Sequence, residues 1–291
     1  MHEKIELKAL AKINLGLDVL GRRENGYHDV RMVMQTIYLY DDVTLERTGE
    51  AGIQVRTNLH YLPVDEKNIA YQAANLLMEE FHIREGLKIT LNKRIPVAAG
   101  MAGGSSNAAA VVVGMNRLFR LGLSEQELME RGVKLGADVP YCVMRGTVLA
   151  EGIGEVLTPL APLPRCYILV AKPRISVSTK TVYEKLDAHE IEDHPDIDGL
   201  LAGLEAGDLK KVASAMGNVL EKVTMDDYPV IAEIKDKMKE NGALNAMMSG
   251  SGPTVFGIFE DKYVARQAMQ KIRNAGIAKQ CYVVNVHNKR R

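Results

Sequence analysis

The chain carries no net charge, because Lys plus Arg and Asp plus Glu number 37 each. A general basic field is what draws nucleic acid or an anionic membrane. Neither is an expected partner here, and any anion site has to be local. Cysteine is scarce too. Cys142, Cys166 and Cys281 are far apart with no C-x-x-C pair, which argues against a disulfide frame or zinc site and for reduced thiols in a cytoplasmic protein. The opening Met1-His2-Glu3-Lys4-Ile5-Glu6 has no apolar signal core. No run approaches the ~18 apolar residues of a membrane span. Internal repeats and low-complexity tracts are also missing. What remains is a chain of 291 residues, 46% of them hydrophobic, enough for one large or two ordinary domains with a sizeable core.

Apolar residues alternate between Ile5 and Leu20 (Ile13, Leu15, Leu17, Val19), a strand pattern that sets Lys12, Asn14 and Asp18 on the opposite face. Asn25-Gly26 gives a hairpin turn with a return strand at Val30–Leu39, and further strands are expected at Val43–Glu46 and Ile53–Thr57. Ile69, Ala73, Leu76, Leu77 and Phe81 have helical spacing, whereas Leu87, Ile89 and Leu91 alternate as a strand. Ser124-Glu125-Gln126-Glu127 is a capping box for a helix running toward Leu135. Pro159, Pro162 and Pro164 mark a boundary between domains 1–160 and 161–291. Beyond it the pattern predicts a strand at Tyr167–Ala171 and helices at Leu209–Val223 and Val230–Glu240, the latter with Pro229 in its first turn and Gly242 past its end. Strands at Ala246–Ser249 and Thr254–Phe259, a helix over Lys262–Asn274 and a last strand at Cys281–Val286 complete the reading. Mixed elements without regular βαβ repeats predict an α+β fold, its second half a small antiparallel sheet with helices on one face.

The segment Pro96-Val97-Ala98-Ala99-Gly100-Met101-Ala102-Gly103-Gly104-Ser105-Ser106-Asn107 runs into the apolar stretch Ala108–Leu118. Its glycines let the backbone approach a ligand, and Ser105, Ser106 and Asn107 are able to cap the following helix. A helix N-terminus attracts anions, so the segment reads as a phosphate cradle. It is neither a Walker loop, which needs Lys after its last glycine, nor a G-x-G-x-x-G fingerprint. Taken alone it reads equally as a small-residue helix packed tightly on a sheet.

Three further constellations stand out. In Ala9–Leu15, Lys12 and Asn14 project from one strand face, which is either solvated or functional. In Leu135–Pro140, Asp138 sits at a Gly-flanked turn, as a helix cap or as an acid placed to accept a proton or orient a hydroxyl. In Met248–Phe256, Gly250 and Gly252 form a second glycine-rich turn entering a strand, either a plain tight turn or a row of N–H donors along a substrate or phosphate groove. The acidic stretch Asp187–Asp198 fits no ligand spacing and reads as a solvated linker, the basic tail His287–Arg291 as disordered and the methionines as core filler.

The order and wording of these four segments, with Ala11-Lys12-Ile13-Asn14-Leu15 followed by Gly26-Tyr27-His28, resemble the GHMP small-molecule kinases over nearly the whole chain. The resemblance implies a two-domain fold, the first domain like domain 2 of ribosomal protein S5 and the second ferredoxin-like, with an active site between them. It implies ATP with Mg²⁺, and no metal ligand from the protein can be named. ATP phosphates would lie along Pro96, Gly100, Met101, Ala102, Gly103, Gly104, Ser105, Ser106 and Asn107, with Asn68 and Lys93 near the adenine. Lys12 and Asp138 match the catalytic pair. Tyr27 and Tyr183 would stack on a cytosine in the small-molecule substrate while His28 bonds its edge, and Asn14 and Thr179 would hold the rest. Homoserine- or mevalonate-type kinases and a non-catalytic nucleotide sensor are the competing readings, and the expected state is a monomer or weak homodimer. The family loop often carries glycine at the positions of Ala98, Ala99 and Ala102, where Ala tolerates positive φ poorly.

Overall fold

Alternation over the first twenty residues does produce a strand. β1 covers Lys4–Arg22, and after the Asn25-Gly26 turn β2 covers His28–Thr48, absorbing the separate strand expected at Val43–Glu46. The turn closes through Arg23 N donating to Tyr27 O at 2.7 Å, with Gly26 at φ 85°. The computed structural model describes residues 3–186, 191 and 193–289. Within them the chain forms two compact units, one of Met1–Ala11, Leu39–Val97 and Ala102–Met144, the other of Lys12–Tyr38, Ala98–Met101 and Arg145–Arg291. The long strands β1 and β2 contribute residues to both.

In the first unit β3 (Ile53–Thr57), α1 (Ile69–Glu80), β4 (Gly86–Asn92), α2 (Gly103–Leu118), α3 (Glu125–Val133) and α4 (Val139–Met144) follow in order. β4 pairs antiparallel with Asp42–Thr48 of β2 and parallel with β3. Helix α2 buries Ala108 to Val112 and packs on α1 and α4. At Gly114 a Cβ would come within 2.4 Å of Leu45 Cδ1, so glycine sets how closely this helix approaches the sheet. The reading of a small-residue helix packed tightly on a sheet therefore holds. The capping box of α3 is complete, Ser124 accepting from Glu127 N and the Glu127 carboxylate from Ser124 N. Such an N-cap contributes about 1 kcal/mol.

The second unit continues with β5 (Thr147–Glu151), β6 (Val156–Pro159), β7 (Tyr167–Lys172), α5 (Thr179–Leu186), α6 (Ile197–Glu205), α7 (Leu209–Ala215), β8 (Gly217–Asn218), α8 (Leu220–Asp227), α9 (Val230–Glu240), β9 (Asn245–Met248), β10 (Val255–Phe259), α10 (Lys262–Asn274) and β11 (Gln280–Asn285). Here β5 pairs with Met32–Gln35 of β2, and β8 runs parallel to Gly16-Leu17 of β1. The antiparallel sheet β11-β7-β10-β9 carries α9 and α10, a β-α-β-β-α-β arrangement of ferredoxin type with three further helices and β8 inserted between β7 and α9 along with α5. α10 keeps its expected bounds because Asp261 accepts from Tyr263 N and Val264 N while Ala265, Ala268 and Ile272 face the core.

Four expectations need correction. The helix read over Leu209–Val223 is broken at Met216, which is extended (φ −62°, ψ 133°) and leads into β8. Strands β5 and β6 and helices α5 and α6 were not read from the sequence. Of the acidic stretch, Asp187, His189, Glu190 and Glu192 lie outside the described residues. Asp196 caps α6 through Gly199 N, and His194 Nδ1 meets Asp18 Oδ1 at 2.8 Å, so this part is not a solvated linker. The basic tail is not loose through Asn288. His287 N donates to Thr36 O at 2.8 Å, Gln35 Nε2 donates to His287 O at 3.0 Å, and Asn288 Nδ2 donates to Leu163 O at 2.9 Å. Arg290 and Arg291 lie outside the described residues. Among the described residues no helix is long and apolar enough to cross a membrane.

Candidate functional site

The polar face of β1 is buried rather than solvated. Lys12 is 5% exposed, Asn14 fully buried and Asp18 5% exposed. Residues two apart on a strand share a face, and Lys12 Nζ accordingly donates to Asn14 Oδ1 at 2.7 Å, while Asn14 Nδ2 points to Met32 Sδ at 3.4 Å. Burying an ammonium costs several kcal/mol unless a counter-charge offsets it. A neutral amide oxygen orients the Lys12 charge without cancelling it, which suits the approach of an anion. The backbone of Lys12 also donates to Met101 O at 3.3 Å, tying the strand to the glycine-rich loop.

The same unit holds the second turn against that loop. Ser249 Oγ donates to Gly100 O at 2.8 Å. Gly100 has φ 68°, and a Cβ there would lie 2.0 Å from Ser249 O, so no other residue fits. Thr179 Oγ1 and Ser251 Oγ are 2.8 Å apart, which brings Thr179 beside Gly250 and Gly252. His28 and Tyr183 are in ring contact, centroids 4.7 Å apart and tilted by 35°. Tyr27 is 59% exposed. The turn presenting Tyr27 and His28 is closed by Arg23 and Asp29, with Nε to Oδ1 at 2.9 Å, and the guanidinium holds the Asp29 carboxyl below the usual range. The structure thus brings together Lys12, Asn14, Gly100, Met101, Thr179, Gly250 and Gly252, and separately pairs His28 with Tyr183.

In the first unit the loop leads directly into a helix. α2 begins at Gly103, earlier than the apolar run suggests. Its N-cap is Ala102 at φ 53°, with no side-chain cap and no acidic residue in the first turn. The expectation that Ser105, Ser106 and Asn107 cap this helix is corrected, since all three lie within its first turns. Ser106 Oγ donates inward to Leu10 O at 2.6 Å. Uncapped N–H groups with the helix dipole behind them fit an anion such as a phosphate. Ala98 likewise adopts positive φ, 49°, so the loop takes a glycine-like path with alanine at two of its bends.

Lys93, read as an adenine contact, spends its ammonium inside the protein. It forms a buried ion pair with Asp41, donates to Asn107 Oδ1 at 2.7 Å and lies 3.4 Å from Gly103 O. Asp41 also accepts from Arg94 N at 2.6 Å, Ile95 N at 2.8 Å and Asn107 Nδ2 at 2.9 Å. Sequence reasoning missed Asp41. Its signal was its inward register, shared with Leu39, Val43 and Leu45 along β2, where a carboxylate must be fully partnered. Asn68 is the N-cap of α1, accepting from Ala70 N at 2.9 Å and donating to Pro63 O at 2.7 Å. Pro96 lies at the head of the loop. Asp138 is half-buried where α4 begins, its backbone oxygen accepting from Cys142 N at 3.1 Å, and Pro140 occupies the second position of that helix. Among the described residues no three His, Cys, Asp or Glu side chains are grouped to hold a metal ion.

Comparison with known proteins adds to this geometry. The family described as "GHMP kinases N terminal domain" matches residues 68–146, and "GHMP kinases C terminal" matches residues 200–278. A 4-diphosphocytidyl-2-C-methyl-D-erythritol kinase of Lachnospira eligens is 59% identical over 280 residues, 96% of this chain and 97% of that protein. Among solved structures, a 4-(cytidine 5'-diphospho)-2C-methyl-D-erythritol kinase superposes with a TM-score of 0.84 at 31% identity, covering 98% of this chain and 100% of the other. A homoserine kinase from Cytophaga hutchinsonii reaches a TM-score of 0.82 at 22% identity, covering 99% and 96%, a likeness of fold alone.

Proposed function

The chain belongs to the GHMP kinases, in the branch of the 4-diphosphocytidyl-2-C-methyl-D-erythritol kinases, and from that premise we propose that it transfers the γ-phosphate of ATP to the 2-hydroxyl of 4-diphosphocytidyl-2-C-methyl-D-erythritol. The products are the 2-phosphate and ADP, and the step belongs to the non-mevalonate route to isoprenoid precursors. The observation that carries this reading is the buried Lys12 ammonium, held by a neutral partner and tied through its backbone to a loop that opens an uncapped helix.

Phosphoryl transfer of this kind asks for positioning and charge stabilisation more than for a strong base. Asp138 takes the role of proton acceptor for the attacking hydroxyl, a contribution of typically 10²–10⁴-fold. Lys12 favours the charge that develops on the attacking and phosphoryl oxygens. The phosphates lie along Pro96, Gly100, Met101, Ala102, Gly103, Gly104, Ser105, Ser106 and Asn107, with Asn68 and Lys93 toward the adenine. Because the side chains of Asn68 and Lys93 are already engaged, their contribution there passes through backbone and shape. Mg²⁺ bound with ATP would supply charge neutralisation to the triphosphate, and no cluster of protein ligands for it is present among the described residues.

Tyr27, His28 and Tyr183 form the cytosine pocket. Asn14, Thr179, Gly250 and Gly252 hold the remainder of the substrate. The functional domains are 1–160 and 161–291, and the protein acts in the cytoplasm as a monomer or weak homodimer without nucleic acid or membrane.

The test is transfer of labelled γ-phosphate from Mg-ATP to the cytidyl substrate, run beside the uncytidylated polyol and homoserine. Labelling of the cytidyl substrate alone is expected. Labelling of another alcohol instead overturns the substrate assignment, and no transfer to any alcohol, with nucleotide still bound, would leave a sensor in place of an enzyme.

A further inference from the structure

The break between α7 and α8 places two polar side chains against the second glycine-rich turn. Asn218, 8% exposed, accepts from Leu220 N through Oδ1 at 3.0 Å and donates through Nδ2 to both Met248 O and Gly250 O, each at 2.9 Å. Three residues on, Glu221 accepts from Met248 N through Oε1 at 2.7 Å and from Lys235 Nζ through Oε2 at 2.6 Å. Met248 ends β9, so its N–H and its C=O are both gripped from the start of α8, as is the carbonyl of Gly250 inside the turn. The segment bearing Asn218 is itself fixed, since Gly217-Asn218 pairs with Gly16-Leu17 of β1 and Val219 N donates to Leu17 O at 3.1 Å.

The turn is packed against the loop and the strand: Ser249 Oγ bonds Gly100 O, a Cβ on Gly100 would lie 2.0 Å from Ser249 O, and Gly250 sits in contact range of Gly100 O and of Asn14 Oδ1, the atom that receives Lys12 Nζ. Any displacement of the turn therefore reaches both the phosphate loop at Gly100 and the amide that orients Lys12. We propose that Asn218 and Glu221 are positioning residues for phosphoryl transfer, acting through Met248 and the Gly250 turn on Gly100 and on the Asn14–Lys12 pair. The proposal rests on the reading of the loop as the ATP phosphate site.

The chemistry at each position makes it testable. Only an amide offers two donors to two carbonyls while keeping an acceptor for Leu220 N. Asn218→Asp keeps the size and that acceptor but turns a carboxylate oxygen toward Met248 O and Gly250 O. Glu221→Gln keeps an acceptor for Met248 N and gives up the charge facing Lys235, whereas Glu221→Ala gives up both. Misplacement of about 1 Å at a reacting group costs up to about 10²-fold in rate.

The experiment measures kcat, KM for each substrate, melting temperature and displacement of a fluorescent ATP analogue. Asn218→Asp and Glu221→Ala are expected to lower kcat by about tenfold or more with KM for the cytidyl substrate within about twofold, while Glu221→Gln stays within about twofold of the parent throughout. If Asn218 only caps α8, Asn218→Asp turns over normally. If Glu221 matters only as the partner of Lys235, Glu221→Gln falls as far as Glu221→Ala. Either result overturns the proposal, and should Asn218→Asp not fold, the Glu221 pair decides alone. A parent protein that neither binds the analogue nor transfers phosphate removes the loop reading itself, an outcome distinct from normal variants in an active parent.

Discussion

Two lysines flank the glycine-rich loop, and both are nearly as buried as alanines in the core, Lys12 at 5% and Lys93 at 8% exposure. Their partners separate them. Lys93 meets the fully buried carboxylate of Asp41, and Asn107 and Gly103 take up its remaining hydrogen-bonding capacity. Lys12 meets only the amide oxygen of Asn14 among the described residues of its unit. The first charge is cancelled and serves to hold α2 against the start of the loop. The second meets no carboxylate among the described residues of its unit, and in the proposed function that leaves its charge for an anion. Burial alone does not mark a lysine as functional. The charge of its neighbour does.

The largest expected effect breaks this comparison on its structural side. Lys93→Met leaves the Asp41 carboxylate buried without a counter-charge, which costs about 3–5 kcal/mol, read as a drop in urea midpoint. Asp41→Asn with Lys93→Met recovers much of the loss, and a fully stable single variant would erase the distinction drawn between the two lysines. On the catalytic side, Lys12→Met is expected to lower kcat by about 10²–10³-fold and Asp138→Asn by about 10²–10⁴-fold. Lys12→Met should leave the melting temperature unchanged or raised, because an uncompensated buried charge has been removed.

A smaller effect sharpens the substrate side. Tyr27→Ala should raise KM for the cytidyl substrate with kcat little changed, since base–aromatic stacking is worth about 1–3 kcal/mol. The exposure of Tyr27 points to the low end of that range. An unchanged KM would leave the base to His28 and Tyr183. Smallest of all, Ala98→Gly or Ala102→Gly removes a left-handed alanine worth about 1–2 kcal/mol of strain against about 0.5–1 kcal/mol of added chain freedom. A net gain of up to about 1.5 kcal/mol is expected in the same urea assay, and a loss would mean that the loop relaxes to accommodate alanine.

The parts of the fold legible in the sequence are those whose cause is local. Ile53–Thr57 alternates, Ser124-Glu125-Gln126-Glu127 carries its own cap, and Asp261 and Gly276 bracket α10. Helix α6 also has a local cause, Ile197, Leu200 and Leu204 after an Asp196 cap, but the acids around it hide that signal. The break at Met216 was not legible. Leu209, Val212, Ala213, Leu220 and Val223 keep a helical rhythm through it, and what breaks the helix is pairing with Gly16-Leu17, some two hundred residues away. The candidate site divides in the same way. Glycine-rich wording announced the loop and the second turn, yet the residues gripping them, Asp41, Ser249, Asn218 and Glu221, are recognised only by what folds against them.

The fastening of the chain's end to its beginning has a consequence for synthesis. The hydrogen bonds from His287 to Thr36 and from Gln35 to His287 unite residues 252 positions apart or nearly so. Translation proceeds at about 5–20 residues per second, so about 10–50 s pass between the emergence of these partners. Residues 12–38 belong to a unit whose other main portion is Arg145–Arg291. Lys12, the early lysine of the candidate site, thus belongs to a unit whose hydrogen bonds between β2 and His287 cannot close until residue 287 has been made.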